Sequence, residues 1–357
     1  MAKFYPLEVL EIRKETNDSV VVSLSPPPEA KDDFEFIHGQ YLTFRREING
    51  EELRRSYSIC SAVSEDNLRV GIKKVDDGWF STWANEDMKI GDIVDAMAPM
   101  GNFYGSIEPD RKKKYLGFAG GSGITPFMSI IKTVLAREPH STFTLAYGNR
   151  SARDVMFREE LEDLKNTNMG RLNIVHILET EADIDLFSGR MDKEKCDALF
   201  NKWIDVSACD QAFICGPEPM MLAVADALKA HGIAEDKIKY ELFASAPRGK
   251  GGQKSASKVT DANAEQTSLT ISLDGVRRDT KIPKTGVSVL EAALAAQIDA
   301  PFACKAGVCS TCRAKIVEGE AEMEVNYALE DYEVKAGYVL TCQCYPLSDS
   351  LVVDYDQ

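Results

Sequence analysis

Short apolar runs, separated by turn-forming residues, occupy roughly the first 106 positions of the chain. They fall at residues 19–24, 41–44, 69–74 and 93–97, and glycine or proline stands between several of them. Runs of four to eight residues rich in β-branched and aromatic side chains, bounded by such turns, are typical of β-strands. The pattern therefore predicts a small antiparallel barrel or sandwich here, and we favour the barrel.

The next part of the chain, residues 112–244, alternates two kinds of apolar pattern. Strands are predicted at 114–119, 142–147, 172–178 and 212–215, and helices at 127–136, 156–165, 193–203 and 220–231. This alternation predicts an α/β doubly wound parallel sheet with helices on both faces.

Residues 245–266 contain almost no large apolar side chains and are rich in Gly, Ser, Ala and Lys. That composition is typical of a flexible linker. A hairpin pattern with Asp274-Gly275 at its turn follows, and then a helix pattern at 289–296. We therefore predict domains at 1–108, 109–244 and 267–357, joined by a linker at 245–266.

Composition excludes some classes of protein. The 357 residues are 44% hydrophobic and 28% charged, which is ordinary for a globular chain, and the net charge of −15 argues against a general nucleic-acid binder. No apolar run is long enough to span a membrane, and the first residues do not resemble a secretory signal, so we expect a cytoplasmic protein. Nine cysteines in such a chain favour free thiols and a metal site over disulfides.

Four of the cysteines follow a recognisable spacing. Cys304, Cys309 and Cys312 form a C-x4-C-x2-C run, and Cys342 follows after 29 residues. Plant-type [2Fe–2S] ferredoxins hold their cluster with four thiolates at this spacing, and the small residues of the loop let the backbone wrap closely around the sulfurs. The alternative is a zinc site in which Cys344 joins Cys309, Cys312 and Cys342, but it leaves Cys304 unexplained.

Residues 54–59 resemble the flavin motif of the ferredoxin–NADP reductase superfamily. Arg55, Tyr57 and Ser58 offer a guanidinium for a phosphate, an aromatic face for the isoalloxazine and a hydroxyl near its N5 atom. Further matches follow in the family's order. The resemblance implies that FAD, or alternatively FMN, is bound by these three residues together with Ile72, Lys73, Gly78, Phe80, Ser81 and Thr82.

The same resemblance extends into the α/β part. The segment AGGSGITP follows a strand and precedes a helix, with Thr125 as the predicted N-cap. The resemblance implies that Ser58 and Cys215 lie at the point of hydride transfer and that NADPH, with NADH as the alternative, is the donor. The residues implied in nicotinamide or flavin binding are Gly120, Gly121, Gly123, Thr125, Arg150, Ser151, Arg153, Cys215, Gly216, Pro217 and Phe243.

The order of these motifs is similar to that in the reductase components of bacterial multicomponent oxygenases. The resemblance implies an α+β β-grasp ferredoxin domain at the end of the chain and electron flow from NADPH through FAD and the cluster to an oxygenase. The C-terminal part most closely resembles reductases of phenylacetyl-CoA ring epoxidases, which implies a di-iron partner in phenylacetate breakdown. Steroid-type or carnitine-type oxygenases and a hybrid-cluster protein are alternative partners, and a zinc-containing nucleotide-binding module is the alternative of a different class.

An acidic stretch at 318–333 contains seven acidic and no basic side chains. It is either a solvated face or a surface that attracts a basic patch on the electron acceptor.

Colour distinguishes the iron–sulfur hypothesis from the zinc hypothesis. We expect the purified protein to be orange-brown, with flavin and charge-transfer absorption bands, because a [2Fe–2S] cluster and a flavin both absorb visible light. Absorption spectroscopy and metal analysis check this. A colourless protein with stoichiometric zinc would refute it.

Overall fold

The computed structural model describes residues 3–48, 50–180, 184–243, 265–329 and 331–357. The predicted linker at 245–266 lies almost entirely outside the described residues. We call the three parts the barrel module (3–108), the nucleotide module (109–243) and the ferredoxin module (265–357). Within the described ranges, no helix is long and apolar enough to cross a membrane.

The barrel module is a closed antiparallel barrel, as predicted. Its sheet has the order β4-β3-β6-β1-β2-β5, and a bridge between Ile59 and Val70 joins the two outer strands. Buried side chains alternate along β1, so that Leu7 and Val9 face the core. The elements are β1 (Tyr5–Thr16), β2 (Ser19–Ser25), β3 (Tyr41–Ile48), β4 (Glu51–Ser58), β5 (Leu68–Lys73), α1 (Trp79–Glu86) and β6 (Ile93–Ala96).

The nucleotide module is a parallel five-stranded sheet of order β11-β10-β7-β8-β9. Helices α2 and α3 contribute to the core on one face, and α4 and α5 to the core on the other, as predicted. In this sheet, β7 has β8 as its neighbour on one side and β10 on the other. The connections therefore diverge at this point, and a crevice forms beyond the carboxyl ends of β7 and β10. The elements are β7 (Lys114–Gly120), α2 (Ile124–Arg137), β8 (Thr142–Asn149), α3 (Arg158–Thr167), β9 (Leu172–Leu178), α4 (Lys193–Lys202), β10 (Gln211–Gly216), α5 (Glu218–Ala230) and β11 (Ile238–Leu242).

The ferredoxin module is an α+β unit with a mixed sheet of order β13-β12-β18-β14-β16 and a small hairpin of β15 and β17. Asp274 and Gly275 both have positive φ, which is the backbone that a two-residue hairpin turn requires. Ser288 and Glu291 form a capping box at the start of α6. The elements are β12 (Gln266–Leu273), β13 (Val276–Pro283), α6 (Val289–Ala295), β14 (Arg313–Glu318), β15 (Ala321–Met323), α7 (Asp331–Lys335), β16 (Tyr338–Leu340), β17 (Cys344–Pro346) and β18 (Ser350–Asp354).

One local prediction is wrong. Thr125 is not an N-cap, because α2 begins at Ile124 and Gly123 occupies the cap position. The preceding glycines form a short 3-10 turn, Gly121–Gly123, that runs directly into the helix. The Thr125 hydroxyl instead donates a hydrogen bond to the Ser122 carbonyl at 3.0 Å.

Candidate functional site

The four predicted cluster ligands form two pairs of thiols. Cys309 Sγ lies 3.1 Å from Cys304 Sγ, and Cys342 is near enough to Cys312 to raise the pKa of the Cys312 thiol. The Ala306 N–H points at Cys304 Sγ, 3.3 Å away. Cys304 is partly exposed, whereas the other three thiols are buried.

This donor set fits a [2Fe–2S] cluster. Two irons that each take two thiolates need two adjacent pairs, and a backbone N–H directed at a ligand sulfur is a typical stabilising contact. Burial does not separate the two hypotheses, since Cys312, Cys342 and Cys344 all lie in the hydrophobic core of the ferredoxin module. The contact of Cys304 with Cys309 favours the cluster, because the zinc alternative leaves Cys304 out. Cys304, Cys309, Cys312 and Cys342 are therefore the residues that would hold the cluster.

The predicted flavin residues of the barrel module lie on two strands and a helix start. Arg55, Tyr57 and Ser58 are on β4, while Ile72 and Lys73 are on β5. The Tyr57 ring lies 5.6 Å from the Phe80 ring, centroid to centroid, and so links β4 to α1.

The first turn of α1 has no side-chain cap. Gly78 occupies its N-cap position, so the N–H groups that follow are available to a pyrophosphate. The Ser81 hydroxyl already accepts from Val75 N–H and donates to Gly78 C=O, each at 3.1 Å. The backbone N–H groups of Gly78 and Thr82 already donate to the Val75 and Gly78 carbonyls, each at 2.9 Å, and Ser81 fixes the turn that precedes the helix. The binding roles of Gly78, Phe80, Ser81 and Thr82 stay predictions.

The glycine turn after β7 touches the end of β10 through backbone atoms. A Cβ atom on Gly123 would lie 2.2 Å from the Cys215 carbonyl oxygen, and one on Gly120 would lie 2.7 Å from Pro217 Cδ. Any side chain at Gly123 would force the two segments apart. Gly120, Gly121, Gly123, Cys215, Gly216 and Pro217 are thereby brought together at the crevice beyond the parallel strands.

A buried hydroxyl and a carboxyl meet between the barrel and nucleotide modules. Ser58 Oγ donates a hydrogen bond to Glu241 Oε2 at 3.1 Å, and Glu241 is the register partner of Cys215. Removal from water raises the pKa of the Glu241 carboxyl to about 8, so this group is neutral below that pH. Burial raises the pKa of the Cys215 thiol well above its usual value, and the nearby Glu241 adds a smaller effect in the same direction. This thiol is therefore not a nucleophile at neutral pH.

The predicted 2′-phosphate residues follow β8 at the surface. Arg150 and Arg153 are exposed. Ser151 is instead committed to a capping box, in which its hydroxyl donates to Asp154 Oδ2 at 2.8 Å. The two guanidiniums can therefore receive a phosphate, whereas the Ser151 proton is already engaged and the Asp154 carboxylate opposes an anion.

Sequence reasoning gave no role to two residues at this site. Glu241 comes two residues before Phe243, which packs partly buried against the core around α2. Tyr41 likewise had no predicted contact, yet its buried ring lies in a small cluster with Ala303 and Cys309 of the ferredoxin module. Nothing in the sequence around Tyr41 or Glu241 indicates which distant side chains they contact.

A cavity of about 90 Å³ lies where the three modules meet. Tyr41 and Phe103 line it from the barrel module, Glu241 from the nucleotide module, and Cys309 and Tyr327 from the ferredoxin module. The Tyr327 hydroxyl also donates to Glu218 Oε1 at 3.2 Å, across the boundary between the ferredoxin and nucleotide modules. Glu241, which accepts the Ser58 hydrogen bond, and the predicted cluster ligand Cys309 therefore border one space.

Three family models match the chain in the order of the modules. Residues 6–104 match the oxidoreductase FAD-binding domain, residues 118–226 the oxidoreductase NAD-binding domain, and residues 271–347 the 2Fe-2S iron-sulfur cluster binding domain. The third match includes all four predicted cluster ligands, and the first agrees with FAD.

Relatives and one solved structure span the whole chain. It is 40% identical to one subunit of the 1,2-phenylacetyl-CoA epoxidase of Escherichia coli K12, over 100% of this chain and 99% of the relative. It is 33% identical to the ferredoxin reductase component of 3-ketosteroid-9-alpha-monooxygenase from Mycolicibacterium smegmatis, over 98% of this chain and 97% of the relative. Phthalate dioxygenase reductase, 24% identical, shares the fold with a TM-score of 0.59 over 98% of both chains.

The Glu241 carboxyl generates a prediction about pH. We expect flavin reduction by NADPH to slow by roughly tenfold as the pH rises through about 8, because the ionised carboxylate opposes negative charge arriving at the flavin. Glu241→Gln should remove this transition and keep the rate seen at low pH. Stopped-flow absorbance of the flavin band between pH 6 and pH 9.5 measures it.

Ser58→Ala is the companion variant. The Ser58 hydrogen bond lowers the pKa of Glu241, so its loss should move the transition to higher pH. A Glu241→Gln enzyme with the same pH profile as the parent would contradict this role.

Proposed function

The chain belongs to the family of oxygenase reductases that join an FAD-binding, a NAD-binding and a 2Fe-2S domain in one polypeptide, and we propose that it supplies electrons from NADPH to a di-iron phenylacetyl-CoA ring epoxidase. As a member of this family it is an NAD(P)H-dependent flavin and iron–sulfur oxidoreductase, the reductase component of a multicomponent oxygenase. The observation that carries the specific acceptor is the 40% identity, over the full length, to a subunit of that epoxidase.

When bound, the FAD would accept a hydride from the nicotinamide and release the electrons singly to the [2Fe–2S] cluster. The chain's own residues prepare this exchange. Tyr57 offers its ring to the flavin, and Ser58 offers its hydroxyl near N5. Glu241 keeps the Ser58 hydroxyl oriented through their 3.1 Å hydrogen bond and, being neutral at physiological pH, adds no opposing charge.

Cys215 is fully buried at the end of β10, where it is the register partner of Glu241. Its thiol stays protonated, so we assign it the role of a small, uncharged neighbour that fixes the nicotinamide against the flavin, with no covalent step. Gly120, Gly121 and Gly123 let the pyrophosphate approach the start of α2. The modules need no general acid–base pair for this chemistry.

NADPH is the donor we propose, on the strength of Arg150 and Arg153. Both guanidiniums are exposed at the carboxyl end of β8, which is the edge where a nucleotide lies in an open parallel sheet. An arginine pair suits a phosphate because it forms charge-assisted hydrogen bonds. The Asp154 carboxylate beside Ser151 opposes a 2′-phosphate and so favours NADH. The preference between the two donors therefore depends on the arginines, which can be substituted.

Substituting the two arginines tests the donor. Arg150→Ala and Arg153→Ala should each raise the KM for NADPH by roughly tenfold and leave the KM for NADH unchanged, because only NADPH carries the 2′-phosphate. Steady-state kinetics with an artificial acceptor measures both. Arg158→Ala is the control, since this exposed arginine pairs with Glu162 on α3. An unchanged preference for NADPH would refute the role.

A steroid-type oxygenase is the second candidate acceptor, supported by the 33% identity to the 3-ketosteroid-9-alpha-monooxygenase component. Support for a carnitine-type oxygenase is somewhat weaker, since the reductase subunit of a glycine betaine monooxygenase from Pseudomonas aeruginosa is 29% identical over 90% of this chain. A hybrid-cluster protein stays an untested alternative. The reductase machinery is the same for all of them, so only turnover with the partner distinguishes them.

Reconstituted turnover tests the acceptor. The loaded protein, NADPH and a purified phenylacetyl-CoA epoxidase complex should consume phenylacetyl-CoA with coupled NADPH oxidation. The control replaces that complex with a steroid oxygenase and its substrate. Rapid reduction of artificial acceptors, without any support of the epoxidase, would overturn the specific assignment and leave the family assignment intact.

A further inference from the structure

The hairpin formed by β3 and β4 presents one face to the ferredoxin module. Antiparallel register pairs Tyr41 with Ser58, Thr43 with Ser56, and Arg45 with Arg54. Directly opposite residues project to the same side of a sheet, and alternate residues share that side. We call this row of six side chains the hairpin face.

The end of the hairpin face nearest the flavin residues touches the cluster loop. The Tyr41 hydroxyl lies 3.1 Å from Thr311 Oγ1 and 3.3 Å from Ser310 Oγ, and Thr43 Oγ1 lies 3.5 Å from Thr311 Oγ1. Ser310 and Thr311 stand between the cluster ligands Cys309 and Cys312. The cluster loop therefore contacts Tyr41, which lies directly opposite Ser58 on the neighbouring strand.

The other end of the hairpin face carries a buried cation. The Arg54 side chain is 3% exposed, with Nε 2.8 Å from Glu52 Oε1 and Nη2 3.1 Å from Asp299 Oδ1. Its guanidinium lies 4.1 Å from the centre of the Phe302 ring. Asp299 and Phe302 both belong to the segment that leads into Cys304, so Arg54 contacts the ferredoxin module just before the cluster loop begins.

The two acidic partners of Arg54 belong to different modules. Glu52 is on the same hairpin, whereas Asp299 and Phe302 are on the ferredoxin module. If the ferredoxin module moves away, Arg54 keeps Glu52 and gains water, so its charge is never left buried without a partner. The contact is therefore suited to repeated docking and release.

On the basis of the proposed function, we propose that Arg54 is a positioning residue for internal electron transfer. Its pair with Asp299 and its stacking on Phe302 hold the ferredoxin module on the hairpin face. Together with the Tyr41 contact, they set the distance between the flavin residues on β4 and the cluster ligands. Loss of the Arg54–Asp299 pair lets the module dissociate from the hairpin face without altering hydride transfer.

Variants of Asp299 in the full chain test this, because its side chain is one-third exposed and its loss leaves no buried charge on the ferredoxin module. Asp299→Asn removes the charge at constant shape, and Asp299→Arg adds repulsion. The matched control is Asp205→Asn, since Asp205 pairs at 3.3 Å with Lys114 entirely inside the nucleotide module.

Two measurements are combined. Small-angle X-ray scattering of the full chain reports whether the ferredoxin module stays docked, and it does not depend on activity. Stopped-flow absorbance separates flavin reduction by NADPH from reduction of the cluster.

We expect a larger radius of gyration for Asp299→Arg and a smaller increase for Asp299→Asn. The flavin reduction rate should be unchanged in both, and cluster reduction should slow by roughly tenfold or more, since small misplacements of reacting groups are costly. Asp205→Asn should match the parent in every measurement.

Parent-like scattering and parent-like cluster reduction in Asp299→Arg would overturn the inference. A parent protein in which NADPH fails to reduce the cluster would instead overturn the proposed function, and the scattering comparison would still test the docking role of Arg54. Circular dichroism and visible spectra of each variant confirm that the modules remain folded and loaded.

Discussion

The antiparallel register of β3 and β4 is the constraint on which the electron path depends. It places Tyr41, which contacts the cluster loop, directly opposite Ser58, a predicted flavin residue. Strands in a ladder lie about 5 Å apart, so two groups held this way cannot drift far from each other. The barrel closes behind them through the bridge of Ile59 with Val70, which fixes the hairpin against the rest of the module.

The nucleotide module meets that hairpin through groups whose charge is suppressed. Glu241 and Cys215 sit on neighbouring parallel strands, and removal from water disfavours the ionised form of both side chains. A neutral carboxyl that accepts from Ser58 holds a hydroxyl in place without opposing negative charge. The contact of Gly123 with the Cys215 carbonyl keeps this strand end against the glycine turn. The site thus combines fixed donors with low local charge.

The ferredoxin module contacts the other two modules through both polar and apolar side chains. Tyr327 reaches Glu218 of the nucleotide module, and Asp299 reaches Arg54 of the barrel module. Such a mixed boundary resembles a transient interface more than a hydrophobic core. It suits a module that must both receive electrons internally and deliver them to another protein.

The sequence by itself determined the features that depend on residues close together along the chain, namely the strands, the helices and the cysteine loop. Alternating patterns predicted the barrel and the parallel sheet, and the predicted strand at 172–178 coincides with Leu172–Leu178. The cysteine spacing predicted the ligand loop, because four thiolates must converge on one small cluster. The predicted start of α2 was wrong, since a threonine before a proline suggests a cap, whereas the glycines extended the turn and Gly123 took the cap position.

Only the tertiary structure decided which distant side chains meet. Ser58 and Glu241 are 183 positions apart, Arg54 and Asp299 are 245 apart, and Tyr41 and Thr311 are 270 apart. No periodicity links such positions, because their approach depends on how three separately folded modules dock. The sequence therefore predicted the components of the electron path, and the packing of the modules determined the distances between them.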